Sequence, residues 1–337
     1  MGRHTYQMYS AFDSTDYLFF SPAENDLPRH VRIRFWPIRF LKQAGVSIWL
    51  HLNARRIIAE HRLDKLNIHT GPGGVLLTRK LPVPVVVTCH HTYRQQYRHL
   101  KAQFWKRIFF PFEKRTYQLA DRIIAVSEAT RQALVADYGI PAGKIVKICN
   151  AVDAGDFHPT PLPKAPRTLV YVGRIAKRKG IDFLIKSMPL VKERIPEVLL
   201  LVAGKGSYLD EVKALAARLQ LQENVRFLGF VPEEELNALY NLGECVVVPS
   251  VFEGFGITII EALAAGTRVI GTDSDGIREI LQSGDYGRLV PYGDLRALAD
   301  AIVAELQSPA PAAPLLPEYL APAFASEYRR LLEDGAA

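Results

Sequence analysis

The stretch E-G-F-G-I-T-I-I-E-A-L-A-A-G, residues 253–266, decides how the rest of the chain is read. From Ile257 to Ala265 it is apolar apart from Thr258 and one carboxylate, Glu261. Gly254 and Gly256 permit a tight turn, so the pattern predicts a helix that starts near Gly256. Such a start presents unbonded backbone N–H groups and the positive end of the helix dipole, which suits an anionic ligand. Glu261 is expected on the second turn beside Ile257, Thr258, Ala264 and Ala265, with no charged neighbour on its own helix. A lone buried carboxylate costs several kcal/mol unless something hydrogen-bonds it. Sugar hydroxyls are such partners, and Glu253, in the loop before the helix, can reach the same place. The plainer alternative is a buried helix whose one Glu faces water.

Outward from this helix, short apolar β-rich runs alternate with helical periods over most of the 337 residues. Strands are predicted at 66–69, 83–89, 122–126 and 144–148, with helices near 45–62, 98–119 and 127–138. After the Pro-rich run P-T-P-L-P-K-A-P at 159–166, strands follow at 168–172, 198–203, 225–228, 245–248 and 268–271, with helices between them. This alternation argues for an α/β protein with two doubly wound parallel sheets. The division expected is 1–160, 161–318 and a final helix within 319–337, with the Pro-rich run as linker. Open parallel sheets bind ligands beyond the carboxyl ends of their strands, so two facing domains would enclose a cleft.

Composition narrows the function without naming it. With 48% apolar and 23% charged residues the chain reads as an ordinary globular protein, and no apolar run approaches the ~20 residues of a bilayer span. Cys89, Cys149 and Cys245 are far apart and lie in or beside apolar segments, which argues against a disulfide framework or a zinc site and for a reducing cytoplasm. The net charge of +7 is shared unevenly: residues 1–160 hold 23 Lys+Arg against 12 Asp+Glu, the remainder 19 against 23. A basic first half suits nucleic acid, anionic lipid or an acidic substrate. Nucleic acid is disfavoured, because no RNP, helix-turn-helix or finger pattern is present.

Further candidates stand at strand ends. The strand at 168–172 runs into G-R-I-A-K-R-K-G, where Arg174 and Lys179 bracket a turn between Gly173 and Gly180. Two cations there suit a diphosphate, each charge-assisted hydrogen bond contributing roughly 1.5–3 kcal/mol. Lys177 and Arg178 read as solvated members of the same loop. The strand at 198–203 ends in A-G-K-G-S, where Gly204 and Gly206 either let the backbone approach a nucleotide or simply make a tight turn. The apolar strand at 83–89 ends in His90-His91; imidazole there can donate to a sugar hydroxyl or stabilise charge, or be structural.

Together these residues resemble the retaining glycosyltransferases of family 4, which have the GT-B fold. The resemblance rests on V-S-E-A-T-R, N-A-V-D at 150–153, G-R-I-A-K-R-K-G, A-G-K-G, V-R-F-L-G-F-V-P, the P-S-V-F-E-G-F-G-I-T-I-I-E-A-L-A-A-G block and G-R-L-V-P near Gly287, and covers about residues 66–306. It implies transfer from a UDP- or GDP-sugar to a glycan or lipid-linked acceptor with retention at the anomeric carbon, in the cytoplasm or at the inner membrane face. Carried over by position, Arg174 and Lys179 hold the donor pyrophosphate, Glu261 the ribose hydroxyls and Glu253 the transferred sugar. The amides of Phe255, Gly256 and Ile257 complete those contacts, and His90 matches the family's active-site histidine better than His91. The resemblance implies no protein nucleophile and no metal or other cofactor. A nucleotide-sugar 2-epimerase on the same fold and a non-catalytic nucleotide-sugar-binding protein are the alternatives.

The chain departs from the family pattern in places. Its opening M-G-R-H-T-Y-Q-M-Y-S reads as the family's second strand, so the first strand and its Gly-Gly loop are expected to be missing from this sequence. Ala151 and Asp275-Gly276 stand where glycine and a glycine pair are usual. The stretch at 98–115 mixes aromatics with cations, and on a helix it is expected to touch an anionic lipid surface with Trp105 and Phe109 inserted, or else to pack on the core with its basic face in water.

Overall fold

The computed structural model describes residues 18–21, 30–32, 42–71, 74–161, 163–282, 284–309 and 312–334. The opening run at 1–10 lies outside the described residues. The chain divides into two units, Met1–Asn150 together with Ala321–Ala337, and Ala151–Leu320.

In the first unit β1 (Phe19–Ser21) and β2 (His30–Arg32) pair in parallel, followed by helix α1 (Lys42–Glu60). A parallel sheet then runs in the order β3-β4-β5-β6, built from β3 (Leu66–Thr70), β4 (Val85–Cys89), β5 (Arg122–Ala125) and β6 (Ile145–Lys147). All five residues of β4 are buried, as a strand covered on both faces requires. It begins two residues later than the apolar run suggests, because Pro84 has no N–H to give a ladder; its carbonyl still accepts from Leu66 N at 3.0 Å. Val85, Val87, Ile123 and Ala125 pack with Leu134 of helix α4 (Glu128–Tyr138), whose Ser127 cap accepts from Thr130 N at 3.1 Å.

The helix expected over 98–119 is three elements. Helix α2 (Tyr93–His99) begins earlier, at a capping box in which Thr92 Oγ1 accepts from Gln95 N (3.0 Å) and Gln95 Oε1 accepts from Thr92 N (2.9 Å). A 3-10 segment, Lys101–Phe109, follows, and helix α3 (Phe110–Leu119) restarts with Pro111 in its first turn. The buried carboxylate of Glu113 on α3 accepts from Tyr93 N with both oxygens, at 3.1 and 3.0 Å, and from the hydroxyls of Tyr117 and Tyr138. Burial pushes this carboxyl up to about 7 against those donors.

The second unit is one six-stranded parallel sheet, β7 (Thr168–Val172), β8 (Leu199–Ala203), β9 (Val225–Gly229), β10 (Cys245–Val248), β11 (Arg268–Thr272) and β12 (Gly287–Val290). The strands lie in the order β12-β11-β10-β7-β8-β9. Its helices are α5 (Ile181–Lys192), α6 (Leu209–Arg218), α7 (Glu233–Leu242), α8 (Ile257–Ala264), α9 (Asp275–Leu281) and α10 (Leu295–Gln307). Leu169, Leu200 and Val247 from the strands meet Leu184, Met188, Leu298 and Ile302 from α5 and α10 in its core. The chain winds outward from β7 to β9, returns to β10 on the other side of β7, and winds outward again. The loops leaving β7 and β10 therefore diverge at adjacent strand ends, where sheets of this strand order bind ligands.

The Pro-rich run is bonded onto this unit: Thr160 N donates to Asn241 Oδ1 (2.8 Å), Ala165 N to Leu242 O (2.8 Å) and Lys164 Nζ to Gly243 O (2.9 Å) and Thr267 Oγ1 (2.6 Å). The final helix, α11 (Ala321–Asp334), groups with the first unit and sends Tyr328 to Asn67 of β3. The three cysteines are buried and unbridged. Among the described residues no helix is long and apolar enough to cross a membrane.

Candidate active site

The two diverging loops of the second unit carry most of the residues singled out in the sequence. After β7 the chain passes through Arg174 and a 3-10 turn, Lys177–Lys179, to Gly180 and α5. After β10 it runs through Ser250 and Glu253 to Gly256 and α8. Gly180 lets the loops meet: at φ +66° it lies in the left-handed region, and a Cβ there would stand 1.8 Å from the carbonyl oxygen of Pro249. Val251 N donates to Arg178 O at 3.0 Å, which zips them together.

This packing brings Lys179 onto Glu253. The ammonium ion-pairs with Glu253 Oε1, which also accepts from Ser250 Oγ at 2.9 Å, while Arg178 Nη1 stands 3.9 Å from Oε2. Burial opposes the charged form of Glu253, but the positive charges of Lys179 and Arg178 outweigh it and hold the carboxyl below its usual range. Arg178, read from the sequence as solvated, thus belongs to the charged cluster. Its neighbours in K-R-K offer no periodicity by which sequence could tell the inward cation from the outward one. Ser250 was also missed. It is held by its own carbonyl, which accepts from Thr272 Oγ1 at 2.5 Å.

Arg174 is exposed, and its carbonyl accepts from Tyr171 OH at 3.2 Å; among the described residues its guanidinium makes no ion pair. Gly204 and Gly206 are pressed against that same loop: Cβ atoms there would lie 1.8 Å from Gly173 O and 1.9 Å from Ile175 O. Their glycine requirement is met by loop-on-loop packing.

Helix α8 starts at Ile257 with Gly256 as its N-cap residue, near where the sequence placed it, and no side chain caps its first turn. Phe255 and Gly256 are buried and Ile257 half-buried. Phe255 packs edge-on against Tyr319, ring centroids 5.9 Å apart. Glu261 neither faces open water nor lacks a partner: Tyr240 OH of α7 donates to its Oε2 at 2.7 Å. Burial raises its carboxyl to about 7, with a further push from Glu233, against the pull of Tyr240 and Lys179. Lys179 is therefore within electrostatic reach of both carboxylates.

In the first unit His90 leaves the end of β4. Its Nε2 stands 2.9 Å from Nδ1 of His69 on β3, and the two rings stack at 5.2 Å. The partner His69 was not anticipated, although N-I-H-T in β3 places Asn67 and His69 on one face of the strand. Among the described residues no three His, Cys, Asp or Glu side chains gather as a metal site.

Taken together, a parallel sheet of this strand order gathers cations and carboxylates at its switch point, the place where open α/β sheets bind ligands. The comparisons with known proteins are more particular. The profile of Glycosyl transferases group 1 matches residues 155–314 and that of Glycosyltransferase Family 4 matches residues 1–156. The phosphatidyl-myo-inositol mannosyltransferase of Mycobacterium leprae is 32% identical over 268 residues, which span 77% of this chain and 68% of the relative. The glycogen synthase of Mycobacterium tuberculosis is 28% identical over 75% of this chain and 61% of its own length. Among solved structures, a sucrose-phosphate synthase from Thermosynechococcus elongatus superposes with a TM-score of 0.79 over 94% of this chain and 87% of that one, at 23% identity. The Anabaena protein HepE, solved with UDP, gives 0.63 over 84% and 82%, at 18% identity. The chain belongs to glycosyltransferase family 4, with two parallel-sheet α/β units of the GT-B type.

Proposed function

We propose that the chain transfers a sugar from a nucleotide-diphospho-sugar to a glycan or lipid-linked acceptor, with retention of anomeric configuration. The observation that carries this reading is the convergence of Lys179, Arg178, Glu253 and Glu261 on the loops that diverge at β7 and β10, beside the uncapped start of α8. In it the donor diphosphate takes the place now held by Glu253 on the Lys179 ammonium, assisted by Arg174 and by the amides of Phe255, Gly256 and Ile257. Gly204 and Gly206 border the nucleotide. The ribose hydroxyls donate to Glu261, replacing or sharing the Tyr240 hydrogen bond, and Glu253 turns to the transferred sugar. His90, at the end of β4 in the first unit, is read as a donor to a sugar hydroxyl.

As the sugar–oxygen bond lengthens, charge grows on the departing diphosphate. In this reading Lys179, held against Glu253, and the helix amides face the growing charge and Arg174 adds a second cation, the form of stabilisation that lowers a barrier most. The departing phosphate takes the acceptor proton, so the reading calls for neither a protein base nor a metal. The names of the mannosyltransferase relatives and the UDP held by a structural neighbour support a nucleotide-sugar donor and make a lipid acceptor reasonable. The exposed Phe104, Ile108 and Phe112 in the first unit support work at the inner membrane face.

The test is nucleoside diphosphate release from UDP-glucose, UDP-N-acetylglucosamine and GDP-mannose, with and without acceptor lipid extract. Transfer or slow hydrolysis is expected with one of the three, unaffected by a metal chelator. Glu253→Gln is expected to impair transfer more than affinity for UDP or GDP. Free epimerised sugar without acceptor product would assign the chain to the epimerases, and donor binding with no turnover would leave a binding protein.

A further inference from the structure

We propose that His69 is a positioning residue for His90: its Nδ1–H, aligned by Asn67 and, behind Asn67, by Tyr328 of the C-terminal helix, donates to His90 Nε2 and holds the His90 ring as the Nδ1–H tautomer. The inference rests on the reading of His90 as a group of the active site and adds what fixes its proton.

The proposed direction starts at Asn67: with its Oδ1 accepting from Thr88 Oγ1 at 3.0 Å, its amide nitrogen faces the other way. That nitrogen has two hydrogens, one for Tyr328 OH and one for His69 Nε2, 3.3 Å away. An imidazole nitrogen that accepts carries no proton, so the His69 proton sits on Nδ1, and Nδ1 is the atom 2.9 Å from His90 Nε2. Burial lowers His69 to about 4, which keeps it neutral near pH 7. A neutral ring has one N–H, and this geometry commits it to His90. His90 Nε2 then accepts, and the His90 proton belongs to Nδ1. The ring is thereby a hydrogen-bond donor and is kept from acting as a base through Nε2, as a transfer without a protein base requires.

The fold explains why these groups meet. In the β3–β4 register His69 lies opposite Thr88, and Asn67 sits two residues before His69 on the same face. Tyr328 is 1% exposed and stacks on Phe324 at 5.3 Å, so its hydroxyl is fixed by the packing of α11. The final helix of the chain thus bears on the proton of a histidine more than two hundred residues earlier, an expectation that nothing in the local sequence around His90 contains.

The experiment is long-range 15N–1H correlation on the whole chain with 15N-labelled histidine at pH 7. Both His69 and His90 are expected as neutral Nδ1–H tautomers; an Nε2–H signature on either overturns the assignment. His69→Phe keeps ring and burial but removes the donor. It should replace the single His90 tautomer by an average and lower kcat roughly tenfold or more, the scale of a displaced reacting group, while donor KM stays within about twofold. His69→Asn, which offers an amide N–H near the Nδ1 position, should recover most of the loss; no recovery counts against the proposal, as does a His69→Phe enzyme with unchanged spectrum and turnover. Should His69→Phe fail to fold, Tyr328→Phe carries the test through one hydroxyl: the His69 resonances should broaden and kcat fall by about two- to fivefold, at the low end of what a loosened reacting geometry costs, and no change overturns the relay. Turnover is followed with whichever of UDP-glucose or GDP-mannose the chain consumes. A full-rate His90→Ala enzyme would remove His90 from the active site, while the spectra still judge the hydrogen bond by itself.

Discussion

Glu261 and Lys179 show how much of this site is set by single side chains. The Glu261 carboxyl stands at about 7, raised from 4.5 chiefly by burial. A folded value above the unfolded one means that the protonated form favours the fold: this contribution is full below about 4.5 and is lost as pH rises through about 7. Ribose hydroxyls ask for the opposite form, since only the carboxylate is purely an acceptor. Affinity for an intact nucleotide-sugar should therefore increase between pH 6 and 8, and Glu261→Gln should flatten the profile; calorimetric titration across that range reads it, and a profile of the same slope in both proteins would contradict the role. Lys179→Ala removes one charge-assisted contact, so nucleoside diphosphate binding should weaken about ten- to hundredfold while binding of the nucleoside barely changes. Equal loss for both ligands would move Lys179 away from the phosphates. These residue types were legible in the sequence because lone charges in apolar or glycine-bounded runs stand out. Their partners were not: Tyr240 lies 21 residues from Glu261 and His69 lies 21 from His90, and each pairing is created only by strand or helix neighbours.

At the scale of elements, what matters is that the β7 and β10 loops touch with no room to spare. Gly180→Ala should cost about 1–2 kcal/mol for the left-handed backbone alone, and more because the new Cβ would meet Pro249 O at 1.8 Å. The measurable outcome is a melting temperature lower by several degrees together with weaker donor binding. An alanine variant that melts and binds like the parent would show that the loops have slack. The strands of this unit were readable because runs such as C-V-V-V are buried on both faces, a pattern that needs no tertiary information. β12 was seen only as a motif, G-R-L-V being too short to register as a strand. The helix expected over 98–119 failed for a different reason. Aromatics and cations there follow no single period, and the Thr92–Gln95 capping box and Pro111, both weak cues in isolation, fix where helix begins and resumes.

For the whole molecule, charge and exposed apolar surface coincide in the first unit, because all 23 Lys+Arg counted over residues 1–160 lie at or before Asn150. Phe104 (69% exposed), Ile108 (66%) and Phe112 (48%) lie four residues apart, among the exposed cations Arg107, Lys114 and Arg115. Of the pair expected to insert, Phe109 stacks on Tyr93 at 5.1 Å, and the Trp105 side chain lies outside the described residues. Cations close to an anionic bilayer contribute about 1 kcal/mol each, and apolar burial adds about 25 cal/mol per Å². Neither alone holds a protein on a membrane at physiological salt, but together they do so reversibly. The chain should therefore sediment with vesicles containing phosphatidylglycerol and stay in solution with phosphatidylcholine alone. Phe104→Ser with Ile108→Ser should weaken that binding about tenfold without touching donor hydrolysis in solution, and raising salt should weaken it further because exposed charges are screened within ~10 Å at 0.1 M. Binding that ignores lipid charge, or that survives loss of both side chains, would assign this surface to something other than a membrane, and the acceptor would then be sought among soluble glycans.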